Sequence, residues 1–237
     1  MVNTPQDFVH RLAEIRMPLV FNPYRDVCPI HDLPDAPVIR QRNLVQWIDA
    51  AMAQRADTVW VARDLGYRGG RRTGLPLTDE AHLTDAADLM GGITLSRATK
   101  GAAVAERTAA VIWKMLAGIG QPQVLWNIFP FHPHDPGGIL SNRCHTKKER
   151  EITWPFLTAL LAMIKPRRII AIGRDSADGL RDITLPIEYV RHPSYGGQTE
   201  FIDGINRIYG VKKRAIPESE SLRQDSLPLA NSVPRQW

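Results

Sequence analysis

Four short runs rich in apolar and β-branched residues mark the chain: "TVWVA" (58–62), "QVLWNIF" (123–129), "RRIIAIG" (167–173) and "PIEYVRH" (186–192). Near-continuous apolar runs bounded by loops suit strands buried on both faces, as in a parallel sheet. Helical stretches precede them in turn: "NLVQWIDAAMAQR" (43–55), "KGAAVAERTAAVIWKMLAGIG" (100–120), "KKEREITWPFLTALLAMI" (147–164) and "RDSADGLRD" (174–182). The alternation predicts an α/β fold, a three-layer α/β/α sandwich on a central, mainly parallel four-stranded sheet. A last amphipathic helix is predicted over "TEFIDGINRIYG" (199–210), with Gly210 as its C-cap.

Beyond that helix the pattern stops. Residues 213–237 are polar, hold three prolines and show no periodicity, so they read as a flexible or surface-draped tail behind a single domain over 1–212. The proline-rich stretch from Pro23 to Pro37 reads as a long ordered loop, and no internal repeat is visible.

Composition narrows the class. With 237 residues, 43% of them hydrophobic, the chain can bury one sizeable core. No stretch reaches the roughly 18 continuous apolar residues of a membrane span, and acids interrupt "MVNTPQDFVHRLAEIRM" where a secretory signal would be apolar. A cytoplasmic monomer without membrane attachment is expected. Cys28 and Cys144 lie far apart and form no CxxC pair, so cysteine alone builds neither an iron–sulfur cluster nor a zinc ribbon.

The formal charge of +5 favours an anionic partner, although a solvated basic surface would carry the same excess. Its distribution says more: Arg63, Arg68, Arg71 and Arg72 form one cluster, and Arg143, Lys147, Lys148 and Arg150 another, each beside a predicted strand end. That placement favours phosphate groups.

Open parallel sheets bind ligands at the carboxyl ends of their strands, where loops and helix amino termini converge. Asp64 follows the first predicted strand, Asn127 lies within the second, Gly173 opens a helix after the third, and His192 lies in "RHPSYGGQ" after the fourth. Each has a purely structural reading as well: Asp64 as a turn acid paired with Arg63 or Arg68, Asn127 as a partner for buried backbone, His192 as a loop histidine before proline. Delivery of an acid, an amide and an imidazole to one rim by three strands favours a site.

These residues carry a resemblance. "RDLGYRGGRRTGLPLT" (63–78) resembles the first motif of the uracil-DNA glycosylase superfamily, and the spacing from Asp64 through Gly66, Gly69 and "TGLP" (73–76) is most similar to its single-strand-selective monofunctional branch. "HPS" (192–194) before a glycine-rich turn resembles the second motif, and "LWN" (125–127) stands in the place of the base-reading amide. The likeness spans roughly residues 40–210. In that branch an asparagine stands where this chain has Asp64, so the acid is that of the classical uracil-DNA glycosylases. Leu77 occupies the slot of the phenylalanine that stacks on the base, which leaves Phe129 as a replacement. The absence of a four-cysteine set separates the chain from the iron–sulfur-containing branches.

The resemblance implies base excision repair: hydrolysis of the N-glycosidic bond of deoxyuridine in DNA after the base is flipped out. Asp64 would then stabilise the cationic sugar and position water, and His192 would donate to the charge on uracil O2. Asn127 would pair with N3–H and O4, which cytosine cannot match. Tyr67 would close the pocket against a thymine methyl, Tyr195 would fill the gap in the duplex or else pack on the helix behind it, Ser194 and Gly196 would contact the DNA, and Arg68, Arg71 and Arg72 would grip phosphates.

No lysine stands at a motif position to form a Schiff base, so strand cleavage is not expected, and the chemistry calls for no cofactor. "FHPHDPGG" (131–138), with Cys144 and His145, supplies zinc donors in His132, His134 and Asp135, but no helix holds donors at i and i+4, and the stretch reads as a DNA-facing loop. Two other functions stay open: a protein that holds abasic or single-stranded DNA with little turnover, and an enzyme acting on free deoxynucleosides, which the basic clusters disfavour.

Overall fold

A computed structural model describes residues 4–211, so the tail expected over 213–237 lies outside the described residues. In chain order the elements are α1 (Pro5–Glu14), β1 (Val20–Phe21), α2 (Ala36–Ala53), β2 (Thr58–Asp64), α3 (Gly70–Thr73), α4 (Leu83–Leu89), α5 (Arg107–Ile119) and β3 (Val124–Phe129). There follow β4 (His132–Pro133), α6 (Lys147–Ile164), β5 (Arg168–Ile172), α7 (Arg174–Gly179), β6 (Ile187–Val190) and α8 (Gln198–Tyr209).

The four predicted strands form one fully parallel sheet in the order β3-β2-β5-β6. β2 and β5 are each paired on both sides, and the apolar residues of their runs are buried. β6 lies at an edge and is the strand whose burial lapses, with Tyr189 about half exposed. On one face Trp60 of β2 packs edge-on against Phe201 of α8, 6.2 Å between ring centroids, and α5 packs on α8. On the other, Phe8 of α1 meets Trp126 of β3 at 5.6 Å and Phe156 of α6 at 5.8 Å, while α7 lays Gly179 on Ile128. The three layers expected from the hydrophobic pattern are present.

Three local expectations change. The helix expected from Lys100 begins at Arg107, because Glu106 takes the extended N-cap conformation and Gly101 turns the chain at φ +83°. The loop from Pro23 ends at Asp35, and Pro37 sits in the first turn of α2, where its missing N–H costs nothing. "FHPHDPGG" is not a loop at its start: His132 and Pro133 form β4, antiparallel to β1, and His132 is buried.

Candidate functional site

Register sets the site. Asp64 is level with Phe129 and Ala62 with Asn127, so Asp64, Asn127 and Phe129 share one face, with Asn127 one pleat, about 6.6 Å, below Asp64. Asn127 is fully buried, and neither its amide nitrogen nor its amide oxygen has a hydrogen-bond partner among the described residues. Unmet buried groups of this kind cost about 1–3 kcal/mol each, so an orphan amide at a strand end calls for a ligand with a complementary donor and acceptor.

The Asp64 carboxylate is paired at both oxygens. Arg63 Nε donates to Oδ2 at 2.6 Å, and His145 Nδ1 meets Oδ1. Arg63 also reaches Asp175 at the start of α7, 2.8 Å away. His145, a residue the sequence offered only as a weak metal donor, is thus part of the site; its ring lies over Phe129, 5.3 Å between centroids and 28° from parallel.

His192 is placed by the turn after β6. The Ser194 N–H donates to His192 Nδ1 at 3.2 Å and the Ser194 hydroxyl lies 2.7 Å from it, so Nδ1 accepts and the neutral ring carries its proton on Nε2. Burial, then the nearby Arg63 guanidinium, push the imidazole down to about 4 against the pull of Asp175. A neutral donor of this kind can stabilise a forming anion without delivering a full proton. Next to it Tyr195 is 97% exposed, with a left-handed φ of +51° followed by Gly196 at +77°. A bulky residue at positive φ is uncommon, and here it stands on an exposed tip beside His192.

The glycine-arginine loop behaves differently from expectation. Arg68 alone of its three candidate clamps faces solvent, with its guanidinium 3.5 Å from the Ala105 carbonyl. Arg71 and Arg72 are 3% and 6% exposed, and neither is placed to grip a phosphate. Arg71 lies over the Phe21 ring at 3.9 Å, contacts His132 Nδ1 at 3.0 Å and donates to the Ile139 carbonyl. Arg72 pairs with Glu80 at 2.9 Å and Thr99 at 3.0 Å. The reason is geometric: α3 turns straight after Gly69 and points both side chains inward.

Gly69 lies against another neighbour. A Cβ there would stand 2.3 Å from Glu106 Oε2, so the Glu106 carboxyl lies flat on the loop. Burial, then Asp79, raise the pKa of that carboxyl, and Arg68 opposes the rise.

The remaining candidates divide. Tyr67 is partly buried, and its N–H donates to Asn142 Oδ1 at 3.1 Å, tying the loop to the segment before α6. Leu77 is nearly buried in the core with φ +56°. Phe129 has no exposed surface: His145 lies on one face and Phe131 meets it edge-on at 5.6 Å, so it does not offer the open stacking surface expected of it. His132 uses Nε2 on the Ser141 carbonyl at 2.7 Å, and burial, then Arg71, push its pKa down to about 3. Among the described residues no three His, Cys, Asp or Glu side chains converge as a metal site would need.

No family description matches the chain, and neither does any curated protein. Among solved structures, the crystal structure of wild-type Pedobacter heparinus SMUG2 superposes with a TM-score of 0.57 at 14% identity, covering 87% of this chain and 97% of that one. The two proteins share a fold over nearly their whole lengths.

Proposed function

We propose that the chain is a uracil-DNA glycosylase that hydrolyses the N-glycosidic bond of deoxyuridine in DNA. The observation that carries the reading is the orphan amide of Asn127, one pleat beneath Asp64. Uracil N3–H and O4 would meet its oxygen and nitrogen, whereas cytosine presents the opposite pattern at both atoms. Asp64 would stabilise the positive charge growing on the sugar and hold the attacking water, and the Nε2–H of His192 would meet the charge leaving on O2. The fold likeness to SMUG2, a member of the uracil-DNA glycosylase superfamily, supports the same reading.

Reaching the bond requires the base to leave the stack. Tyr195, nearly fully exposed at the tip of its turn, would occupy the space vacated in a duplex. Arg68, Lys147 and Lys148 are the solvent-facing cations of the two basic clusters and would contact backbone phosphates.

The test is an oligonucleotide bearing one uracil, single- or double-stranded, incubated with the protein and then treated with alkali. A break at the uracil position alone is expected. Tight binding without an alkali-labile site would make the chain a DNA-holding protein instead.

A further inference from the structure

Asp64 ends a strand, but a terminal carboxylate torsion is broad and nothing in its own backbone fixes which oxygen points where. Two side chains do. Arg63 comes from the same strand and is 38% exposed, so water competes for its contact with Oδ2. His145 comes from a different segment and is 7% exposed.

Three features hold His145 and the chain around it. One is the stack on Phe129. Another is the capping box that starts α6 at the next residue: the Glu149 N–H donates to Thr146 Oγ1 at 3.2 Å, and the Thr146 N–H donates to Glu149 Oε2 at 2.6 Å. The third is Arg143, which forks onto the same Glu149 at 2.6 and 2.9 Å. The helix start therefore fixes the backbone that carries His145, and the stack on Phe129 its ring, independently of Asp64. A carboxylate only accepts hydrogen bonds, so the ring proton in this contact sits on Nδ1. The charged groups around the pair are Arg63 on β2, Asp175 on α7 behind it, and Arg143 on the loop that carries His145.

We propose that His145 is a positioning residue for Asp64: its Nδ1–H holds Oδ1 so that the carboxylate meets the sugar and the attacking water in one orientation. This rests on the glycosylase reading above. Misplacing a reacting group by about 1 Å can cost on the order of 100-fold in rate, which sets the expected effect.

The experiment combines a double-mutant cycle with imidazole ¹⁵N NMR on the full chain. In single turnovers at saturating protein on uracil-containing DNA, run well below the melting temperature of every variant, His145→Ala should slow excision about 100-fold with DNA affinity near wild type. His145→Asn, whose amide can donate as Nδ1–H does, should recover about tenfold of the loss, an expectation from the shared donor geometry. In an Asp64→Asn background His145→Ala should cost nothing further, because there is no carboxylate left to orient. A full additive loss in that background, or wild-type excision by His145→Ala, would overturn the proposal.

The NMR arm needs no turnover. Nδ1 of His145 should be the protonated nitrogen in the wild type and should lose that preference in Asp64→Ala. A wild-type ring protonated on Nε2 alone refutes the pairing whatever the substrate. The expected tautomer in a protein that leaves uracil DNA uncut would keep the Asp64–His145 unit and discard uracil excision.

Discussion

Replacing Arg72 by alanine is the sharpest test of the buried arginines, because a phosphate clamp and a core ion pair predict opposite results. The Arg72 side chain, 7% exposed, lies against a Glu80 side chain with no exposure. Truncation would leave the Glu80 carboxylate buried with Thr99, the Val104 N–H at 3.0 Å and Arg97, whose Nε lies 3.6 Å away. Removing one partner of a buried pair costs about 3–5 kcal/mol, and the surviving Arg97 places this case at about 3 kcal/mol. For a chain of this size that is a fall in melting temperature of about 6–12 °C.

Acid should narrow the gap. Burial alone would raise the pKa of Glu80, but hydrogen bonds from Thr99, Arg72 and Val104 hold it below its usual value. In the wild type, stability from this group is present above the unfolded carboxylate range and is lost as pH falls through the lower folded value. In Arg72→Ala the stranded carboxylate is protonated more readily, which relieves its penalty. Thermal melts by circular dichroism at pH 7.5 and pH 4.5 read both effects, and salt-titrated anisotropy on undamaged DNA reads the alternative. A mutant with wild-type melting and a flatter salt slope would put Arg72 on the DNA and refute the reasoning.

Arg68→Ala should do the reverse, with unchanged melting and a slope of log affinity against log salt flatter by about 0.7–0.9 for one lost phosphate contact; an unchanged slope removes Arg68 from the interface. Tyr195→Ala should leave stability untouched, since the ring is 97% exposed, and slow excision from duplex far more than from single-stranded DNA; equal slowing on both would refute the wedge. Asn127→Asp should lose uracil excision and gain some on cytosine, checked on a cytosine-containing strand, because a carboxylate accepts from N4 but cannot donate to O4. His132 and His192 fold with pKa values near 3 and 4 against an ordinary 6.5, so the unfolded chain binds protons first and stability falls from about pH 6.5 downward. Near pH 5 the two together give about 2.5 kcal/mol per pH unit; urea unfolding that is flat between pH 6.5 and 5 would contradict this.

The central strands were legible because burial on both faces writes itself as an unbroken apolar run, as in "TVWVA" and "RRIIAIG". β1 and β4 were not: two-residue strands carry no period, and their pairing joins Val20 and Phe21 to residues more than a hundred positions away. Asp64 and His192 could be placed at strand ends because each borders such a run, and Asn127 because it lies within one. The direction of an arginine after a tight turn could not. "GGRR" reads the same whether the short helix behind it faces solvent or the core, and only the Glu80 and His132 partners decide. His145 was obscured for a similar reason: its meaning lies in the contact with Asp64, 81 residues earlier in the chain. The one local signal was "T-x-x-E" at Thr146–Glu149, a capping box that fixes whatever precedes it.

The order of strands has a consequence for how the site fails. Asp64 ends β2, a strand hydrogen-bonded on both sides, and is itself level with Phe129 of β3. His192 follows β6, an edge strand tied only to β5. Local opening draws on the least protected elements, so hydrogen exchange should release the amides of β6 and the turn behind it well before those of β2. Under mild denaturant the two sides of the site would then part company: the turn that carries His192 would dissolve in a molecule whose β2, with its acid, is still folded.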